Sequence, residues 1–254
     1  MSLFSKIFSR KNKCLYSCYS DKGVKNNNED SLLLSENDNS VLMLVADGVG
    51  GHSNGQYASK RVVSVFEEQL KSFNIDNTSA KDFLVNTTMA ITTEIFNKGR
   101  YSEEYKNCGS TVSGVLLTGN EYFTLNVGDS RVYLFKKPND LRKLTVDHSI
   151  VQELCFKGEI NEEEMKTHPQ KNIITSAVGQ PLNKITVTIE GPYNLMKSDI
   201  ILVCSDGVHS VLNDFEIADI ISENTGKSDI AEILVKKAIS NGSRDNVTAC
   251  ILIN

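Results

Sequence analysis

The sequence has no two cysteines at CxxC spacing. Its six cysteines are scattered through apolar or mixed segments, and this distribution argues against a zinc site. Two of them, Cys204 and Cys250, fall inside apolar, strand-like runs, where a free thiol usually acts as a small buried hydrophobic group. We therefore predict a reducing compartment and a cytoplasmic protein.

Long hydrophobic runs are also absent. The longest runs, such as residues 41–46, are far too short to cross a bilayer, so no transmembrane segment is predicted. Residues 1–13 (MSLFSKIFSRKNK) are basic but lack the continuous apolar stretch of a secretory signal. We interpret them as a basic N-terminal tail, followed by one domain over residues 14–254.

The chain has no excess of positive charge. Its formal net charge is −5 and its pI is about 5.5, which argues against a nucleic-acid-binding protein, because such proteins carry basic patches. Hydrophobic residues at 40% and charged residues at 23% are typical of a globular protein and do not indicate disorder. With no internal repeat or low-complexity linker, 254 residues are compatible with a single domain.

Strand patterns and helical patterns occur in blocks. Three strands are predicted before any helix, and two amphipathic helices then begin near Ser53 and Ser79, each with a capping pattern. The predicted strands are 15–20, 31–34, 41–46, 111–117, 122–127, 132–135, 173–175, 185–189, 200–204 and 247–253. An acidic helical segment is predicted at 149–168, and two helices near Asn213 and Ser228. Such blocks favour an α+β fold over alternating α/β.

Aspartates recur at the ends of the apolar strands. Asp47 and Asp206 each follow such a run and precede glycine, Asp129 follows a third run, and Asp245 precedes the final strand. A single Asp-Gly after a strand is usually a turn. Four carboxylates brought to one rim would repel one another, and hard divalent cations with oxygen ligands are the usual remedy. The joint pattern predicts a cation site.

Seven motifs then resemble, in order, those of the metal-dependent protein phosphatases of type 2C, the PPM family, in its bacterial branch. The resemblance covers residues 15–254. The motifs are Asn28-Glu29-Asp30, Asp47-Gly-Val-Gly-Gly-His52, Gly128-Asp-Ser-Arg131, Leu144-Thr-Val-Asp-His148, Ile174-Thr-Ser-Ala-Val-Gly179, Ser205-Asp-Gly207 and Arg244-Asp-Asn246. The family resemblance implies an α-β-β-α sandwich of two antiparallel sheets flanked by helix pairs, with metals in a cleft at one edge.

The resemblance also implies roles for individual residues. It makes Asp47 the carboxylate that bridges two divalent cations, Mn²⁺ or Mg²⁺. Asp206 and Asp245 would complete the first metal site, and Glu29 with the carbonyl of Gly48 the second. Asp129 matches a third, weaker metal site. The implied reaction is direct hydrolysis by water activated between the two cations.

Three further residues are expected to support that chemistry. The resemblance places Asp30 beside the metals, where it orients water, and Asn246 beside Asp245, where it supports the geometry. Lys25 stands where family members commonly have an arginine that binds the substrate phosphate. Lysine is a point charge and lacks the planar fork of arginine, so weaker phosphate binding is expected.

A second departure concerns proton transfer. Many eukaryotic members have histidine two places after the bridging aspartate, where this chain has Val49, so the general acid is not identified. For His52 and His148 we favour structural hydrogen bonding over catalysis. His209 is as compatible with a place near the metals as with an ordinary loop.

The main functional interpretation is a protein serine/threonine phosphatase that acts on phosphorylated proteins, is monomeric, and opposes a serine/threonine kinase. One alternative is a catalytically weak or inactive relative that serves as a phosphoprotein-binding scaffold, because Lys25 and Val49 both touch the expected phosphate region. Another is a metal-dependent phosphodiesterase. Residues 149–172 correspond to the variable flap of the family and are expected to influence peptide choice.

Overall fold

The computed structural model describes residues 14–50, 54–75, 78–138 and 140–254. The predicted tail at 1–13, the helix cap at Ser53 and His52 lie outside the described residues. Among the residues that are described, no helix is both long enough and apolar enough to cross a membrane.

Eleven strands form two sheets in the described part of the chain, and every pairing is antiparallel. The first sheet has the order β1-β11-β10-β7-β8 and the second β2-β3-β5-β6-β9, with the short β4 paired to the end of β3. The strands are β1 (Leu15–Asp21), β2 (Asp30–Glu36), β3 (Ser40–Val49), β4 (Gly109–Ser110), β5 (Val112–Thr118), β6 (Glu121–Val127), β7 (Arg131–Lys136), β8 (Asp140–Lys143), β9 (Thr188–Asn194), β10 (Ile200–Cys204) and β11 (Val247–Ile253).

Helices cover the outer faces of both sheets. The helices are α1 (Asn54–Ser72), α2 (Ala80–Tyr101), α3 (Ile150–Phe156), α4 (Glu162–Thr167), α5 (Asp206–His209), α6 (Asp214–Asn224) and α7 (Ile230–Ser240), with a 3-10 turn at Glu103–Tyr105. Two caps predicted from the sequence are present. The Ser79 hydroxyl accepts from the amide of Asp82 at the start of α2, and Asn213 and Glu216 form a reciprocal capping box on α6.

The alternation of side chains along β3 explains the layers. Successive residues of a strand point to opposite faces, and both faces of β3 are buried. Leu42 and Leu44 pack with α1 and α2, whereas Met43 and Val45 pack between the two sheets against β10 and β11. A third apolar cluster joins the first sheet to α5, α6 and α7. The predicted α-β-β-α sandwich is therefore confirmed.

Most predicted strands are present within one or two residues of their expected bounds, but three predictions were wrong. Residues 173–175 form only a single bridge between Ile174 and Ser149. The strand expected at 185–189 begins at Thr188, because Ile185 and Val187 pack on the core without a ladder partner. Asp47 does not follow its strand: β3 continues to Val49 because β4 pairs with its last two residues.

Candidate active site

The edge where β2 meets β3 brings two carboxylates together. Asp30 and Asp47 are directly opposed in the register of the two strands. The Asp47 backbone is held on its other side by Thr111, whose amide donates to the Asp47 carbonyl at 2.8 Å and whose hydroxyl accepts from the Asp47 amide at 2.9 Å. The main chain around Asp47 is thus fixed by strands on both sides.

Asp30 connects this edge to the other sheet. Its Oδ2 accepts hydrogen bonds from Ser205 at 2.8 Å and from Thr248 at 2.6 Å, residues that lie after β10 and within β11. Its Oδ1 is buried without a hydrogen-bond partner in the described structure. Burial raises the pKa of Asp30 to about 7. The hydrogen bonds from the two hydroxyl groups oppose this rise, and the charges of Asp206 and Asp245 add to it.

The pKa values of the neighbouring carboxylates are also raised. Burial raises the pKa of Asp47 well above its usual range, and the charges of Asp30 and Asp206 add to it. Burial and the charge of Asp245 raise the pKa of Asp206 to about 6, and burial with the charge of Asp206 raises that of Asp129 to about 7. We predicted from the sequence that Asp47, Asp129 and Asp206 lie on one rim, and in the structure the charge of Asp206 raises the pKa of each of the other two.

Asp206 begins the short helix α5, directly after β10. Its Oδ1, like Oδ1 of Asp30, is buried without a hydrogen-bond partner in the described structure. Buried polar atoms of this kind are uncommon and call for a partner such as an ion. Carboxylate oxygens repel one another when they are brought together, and they are the ligands that hard divalent cations prefer.

The rim is not a closed metal cage. In the part of the chain that the structure describes, no group of three or more His, Cys, Asp or Glu side chains is gathered closely enough to form a metal site by itself. The carboxylates of the described residues therefore do not form a complete ligand set by themselves, although carboxylate oxygens are ligands that divalent cations prefer.

Gly48 lies where two segments of main chain pass unusually close together. Its amide donates to the carbonyl of Glu29 at 3.2 Å, and a Cβ at this position would collide with the carbonyl of Gly55 at the start of α1. Only glycine allows this approach. The close packing keeps the backbone of Glu29 and the backbone of Gly48 side by side, as a shared ion would require.

Asn246 fixes the loop that carries Glu29. Its Oδ1 accepts from the amide of Glu29 at 2.8 Å, and its Nδ2 donates to the carbonyls of Lys22 and Asn27 at 3.0 and 2.9 Å. The sequence predicted support for Asp245, and the Asn246 amide does donate to Asp245 Oδ1 at 2.8 Å. The larger part of its bonding, however, holds the loop of residues 22–29 against β11.

Lys25 projects from this loop onto Asp245. Its Nζ lies 3.1 Å from Asp245 Oδ1, and both side chains are about half exposed, at 49% and 47%. The hydrogen bond with Asp245 raises the pKa of Lys25, so the ammonium group stays charged at neutral pH. The structure thus brings Lys25 to the acidic rim, with its charge accessible to solvent.

The histidines have structural bonds. The amide of Gly128 donates to Nδ1 of His148 at 3.2 Å, and Nε2 of His148 lies 3.0 Å from the Thr188 hydroxyl. His209 Nε2 donates to the carbonyl of Asp129 at 3.0 Å, which links α5 to the segment after β6. The sequence left the place of His209 open, and the structure puts it beside a rim residue rather than among the carboxylates.

Sequence reasoning missed two residues that hold Asp30. Ser205 lies immediately before Asp206, and Thr248 lies two residues after Asn246. Ser205 is part of a motif that was considered for Asp206, and Thr248 is part of the strand that follows Asn246. The signal in the sequence was a small hydroxyl side chain next to each acidic motif. Their hydrogen bonds to Asp30 cross from one sheet to the other, which the sequence pattern of either strand alone does not reveal.

Two packed antiparallel sheets with flanking helices, and aspartates with raised pKa values at one edge, place the chain in the α-β-β-α sandwich class. The sequence profile described as Protein phosphatase 2C matches residues 19–233. The chain belongs to the protein phosphatase 2C family. The predicted family is therefore confirmed, and members of this family depend on metal ions.

Individual relatives agree over nearly the whole chain. The serine/threonine phosphatase stp of Listeria welshimeri is 32% identical over 236 residues, which cover 91% of this chain and 92% of that protein. The structure of the S. agalactiae serine/threonine phosphatase has a TM-score of 0.87 and 31% identity, covering 94% of this chain and 98% of the other.

A second similar structure is the catalytic domain of the serine/threonine phosphatase PstP in complex with two manganese ions. It has a TM-score of 0.78 and 27% identity, covering 94% of this chain and 97% of the other. Together with the two relatives above, it confirms the predicted activity class of a protein serine/threonine phosphatase, and the inactive-scaffold alternative is not favoured.

Proposed function

We propose that this chain hydrolyses phosphoserine and phosphothreonine on other proteins by direct attack of water, with two divalent cations, Mn²⁺ or Mg²⁺, at the acidic rim. The observation that carries the proposal is that burial and the charges of neighbouring carboxylates raise the pKa of four aspartates, and that two of these have a buried oxygen with no hydrogen-bond partner among the described residues. Bound divalent cations lower the pKa of water and neutralise charge on a phosphoryl group.

The proposed ligands are those that the family resemblance implies. Asp47 would be the shared ligand, and the charges of Asp206, Asp129 and Asp245 all act on it. Asp206 and Asp245 would complete one site, Glu29 and the carbonyl of Gly48 the other, and Asp129 would contribute to a third, weaker site. The manganese complex of PstP supports two ions and manganese as one candidate.

The remaining residues position these groups and the substrate. Asp30 would orient the attacking water through Oδ1, while Ser205 and Thr248 fix its Oδ2. Asn246 holds the loop of Glu29. Lys25 would be the phosphate contact, since its ammonium group lies at the rim beside Asp245 and is about half exposed.

Several further expectations belong to the same proposal. Residues 14–254 would act as one phosphatase domain, because an apolar cluster joins the two sheets across their whole interface. We expect a monomer in the cytoplasm whose substrates are phosphorylated by a serine/threonine kinase.

The test compares wild type with Asp206→Asn on a phosphothreonine peptide, in Mn²⁺, in Mg²⁺ and in EDTA. We expect metal-dependent release of phosphate by wild type and a loss of at least a hundredfold in the variant, with weaker Mn²⁺ binding by calorimetry. Asp229→Asn is the matched control, because Asp229 is exposed and makes no side-chain cap bond at the start of α7.

Two results would count against the proposal. Equal activity of wild type and Asp206→Asn would remove Asp206 from the metal site. Hydrolysis of a phosphodiester in preference to the phosphopeptide would favour the phosphodiesterase alternative, and background activity of wild type in both metals would favour the scaffold.

A further inference from the structure

A groove of about 590 Å³ lies beside the acidic rim. It is formed by the last turns of α2 and the 3-10 turn on one side, and by residues 177–181 on the other. Its lining includes Val49, Ile95, Arg100, Val178 and Gln180. A volume of this size accommodates a small ligand or several side chains, and apart from Val49 none of these five residues has entered the account of the rim.

The groove is continuous with the rim through β3. Val49, which lines the groove, is two residues beyond Asp47 on the same strand, a separation of about 7 Å. An extended peptide advances roughly 3.3–3.6 Å per residue. A substrate whose phosphoresidue lies at Asp47 would therefore bring residues two to four positions away into the groove.

The floor of the groove combines apolar surface with one unpaired acceptor. Ile95, Ala177 and Val178 lie buried beneath the groove and make its floor apolar. The Oε1 atom of Gln180 is buried and has no hydrogen-bond partner within the described residues. Because an unmet buried acceptor is costly, an N–H donor is the ligand group that this position suits, and a peptide main chain supplies one.

The mouth of the groove is positively charged although the chain is acidic overall. Arg100 is exposed and stacks at 5.9 Å over the Phe96 ring, and no carboxylate of the described residues forms a salt bridge with it. Lys106 is paired with Glu103 at 3.2 Å. Two cations and one carboxylate leave a net positive charge at the mouth of the groove, and this charge favours an acidic side chain.

Tyr105, in the wall of the groove, is held by ring contacts. Its ring packs edge-on against that of Tyr57, with centroids 4.8 Å apart, and Lys98 Nζ lies over both rings, at 4.1 Å from the Tyr57 centroid and 4.0 Å from that of Tyr105. These contacts tie the 3-10 turn to α1 and α2. Ile174, on the opposite side of the groove, bridges to Ser149, so the groove also touches the base of the flap.

We propose that this groove binds the segment of a phosphoprotein substrate that flanks the phosphoresidue, and that it selects an acidic side chain two to four positions away. The inference rests on the proposed phosphatase function, since that function places the phosphoresidue at the rim. It makes Arg100 and Gln180 determinants of substrate specificity rather than catalytic residues.

The experiment uses the full chain and pairs of phosphothreonine peptides that differ only by glutamate or lysine, placed three positions before or after the phosphothreonine. Wild type should favour the glutamate peptide of at least one pair by roughly fivefold in kcat/KM, the size of one favourable exposed ion pair. Arg100→Glu should abolish or reverse this preference through KM. The matched control is Lys71→Glu, an equal charge reversal in the last turn of α1, which should retain the preference.

A second variant separates binding from folding. Gln180→Leu removes the unmet acceptor, so a purely structural role predicts unchanged KM and equal or higher stability. The docking role predicts a raised KM for both peptides of a pair, with little change for p-nitrophenyl phosphate, which has no flanking segment. Peptide binding is also measured by fluorescence anisotropy, so that the groove is tested even if turnover is absent.

The outcomes are distinct. Absence of hydrolysis of p-nitrophenyl phosphate by wild type in Mn²⁺ would overturn the proposed function, while anisotropy would still decide the groove. Equal binding of the glutamate and lysine peptides by wild type, or an unchanged preference in Arg100→Glu, would overturn the groove proposal while leaving the phosphatase function intact.

Discussion

Asp30 lies directly opposite Asp47 in the antiparallel pairing of β2 with β3. Like charges at directly opposed positions destabilise a sheet, and here burial raises the pKa of both groups, with neighbouring carboxylates adding to the effect. Two hydroxyl groups, of Ser205 and Thr248, partly offset the cost at Asp30. The folded chain thus holds an unfavourable acidic pair at the centre of its candidate active site.

Replacement of Asp30 by asparagine should therefore stabilise the metal-free protein while it impairs catalysis. The folded-state pKa of about 7 lies above the ordinary 3.8, so between these values the folded state retains a proton that the unfolded state has released. Stability from Asp30 consequently falls as pH rises through this window. We expect Asp30→Asn to gain on the order of 2 kcal/mol over wild type at pH 8, and much less at pH 5.

The measurement is urea unfolding of both proteins in EDTA at the two pH values, followed by phosphopeptide turnover in Mn²⁺. Turnover should fall at least tenfold, because a group that orients water is lost. A stability difference that is the same at pH 5 and pH 8 would contradict the ionisation argument.

His209 should make stability depend on pH in the opposite direction. Burial, with the charge of Arg131, lowers the pKa of His209 from 6.5 to about 3, and the neutral ring donates to the Asp129 carbonyl. The unfolded state therefore takes up a proton first as pH falls below 6.5. The contribution of His209 is complete above that pH and declines below it, by up to about 1.4 kcal/mol per pH unit.

His209→Gln should remove this decline, so the difference in free energy of unfolding between wild type and variant should shrink from pH 7.5 to pH 5. Urea unfolding at several pH values measures it. His168→Gln is the control, because His168 follows α4 and its ring accepts a hydrogen bond from the nearby Gln170 amide. A parallel pH dependence of wild type and His209→Gln would argue against a buried neutral imidazole.

Asn246 should couple stability to metal affinity. Its side chain makes three hydrogen bonds to the main chain of residues 22–29, and alanine would leave those groups unpaired. We expect Asn246→Ala to lose about 3 kcal/mol of stability and roughly tenfold or more in Mn²⁺ affinity, because Glu29 is no longer held.

Calorimetric titration with Mn²⁺ and urea unfolding check the two parts of this prediction. Asn224→Ala is a matched control, since the Asn224 side chain also donates to a carbonyl, that of Ile220 at 2.7 Å near the end of α6. The control should lose stability without a change in metal affinity. Full Mn²⁺ affinity in Asn246→Ala would show that the position of Glu29 does not depend on the hydrogen bonds of Asn246.

The sequence predicted best where one local pattern decides the structure. The two caps at Ser79 and Asn213 satisfy helix N-termini from within four residues, and the turn at Gly119 follows from its positive φ between β5 and β6. The prediction from sequence failed at β9, where Gly191 and Pro192 are residues typical of a loop. An edge strand tolerates proline because one side of its ladder is free, and that edge position is a property of the tertiary fold.

The same distinction applies to the site. The aspartates were found because each belongs to a short motif, and the family resemblance supplied their order. What the sequence could not give is the direct opposition of Asp30 and Asp47 or the reach of Asn246 across to the loop of residues 22–29. These relationships join segments up to 224 residues apart, and they depend on strand register rather than on local pattern.

Lys25 provides the last test, because it stands where an arginine is expected. Its ammonium group already lies 3.1 Å from Asp245, so it reaches the rim, but it cannot bind a phosphate with two parallel N–H groups as the guanidinium fork does. We expect Lys25→Arg to lower KM for a phosphothreonine peptide about fivefold, corresponding to ~1 kcal/mol of phosphate contact, and Lys25→Met to raise it. Steady-state kinetics in saturating Mn²⁺ measures both, with kcat changing less than KM. Lys22→Met is the control, since the carbonyl of Lys22 accepts the hydrogen bonds from Asn246 and Lys25 and these do not involve its side chain. An unchanged or higher KM in Lys25→Arg would show that lysine is no handicap at this position.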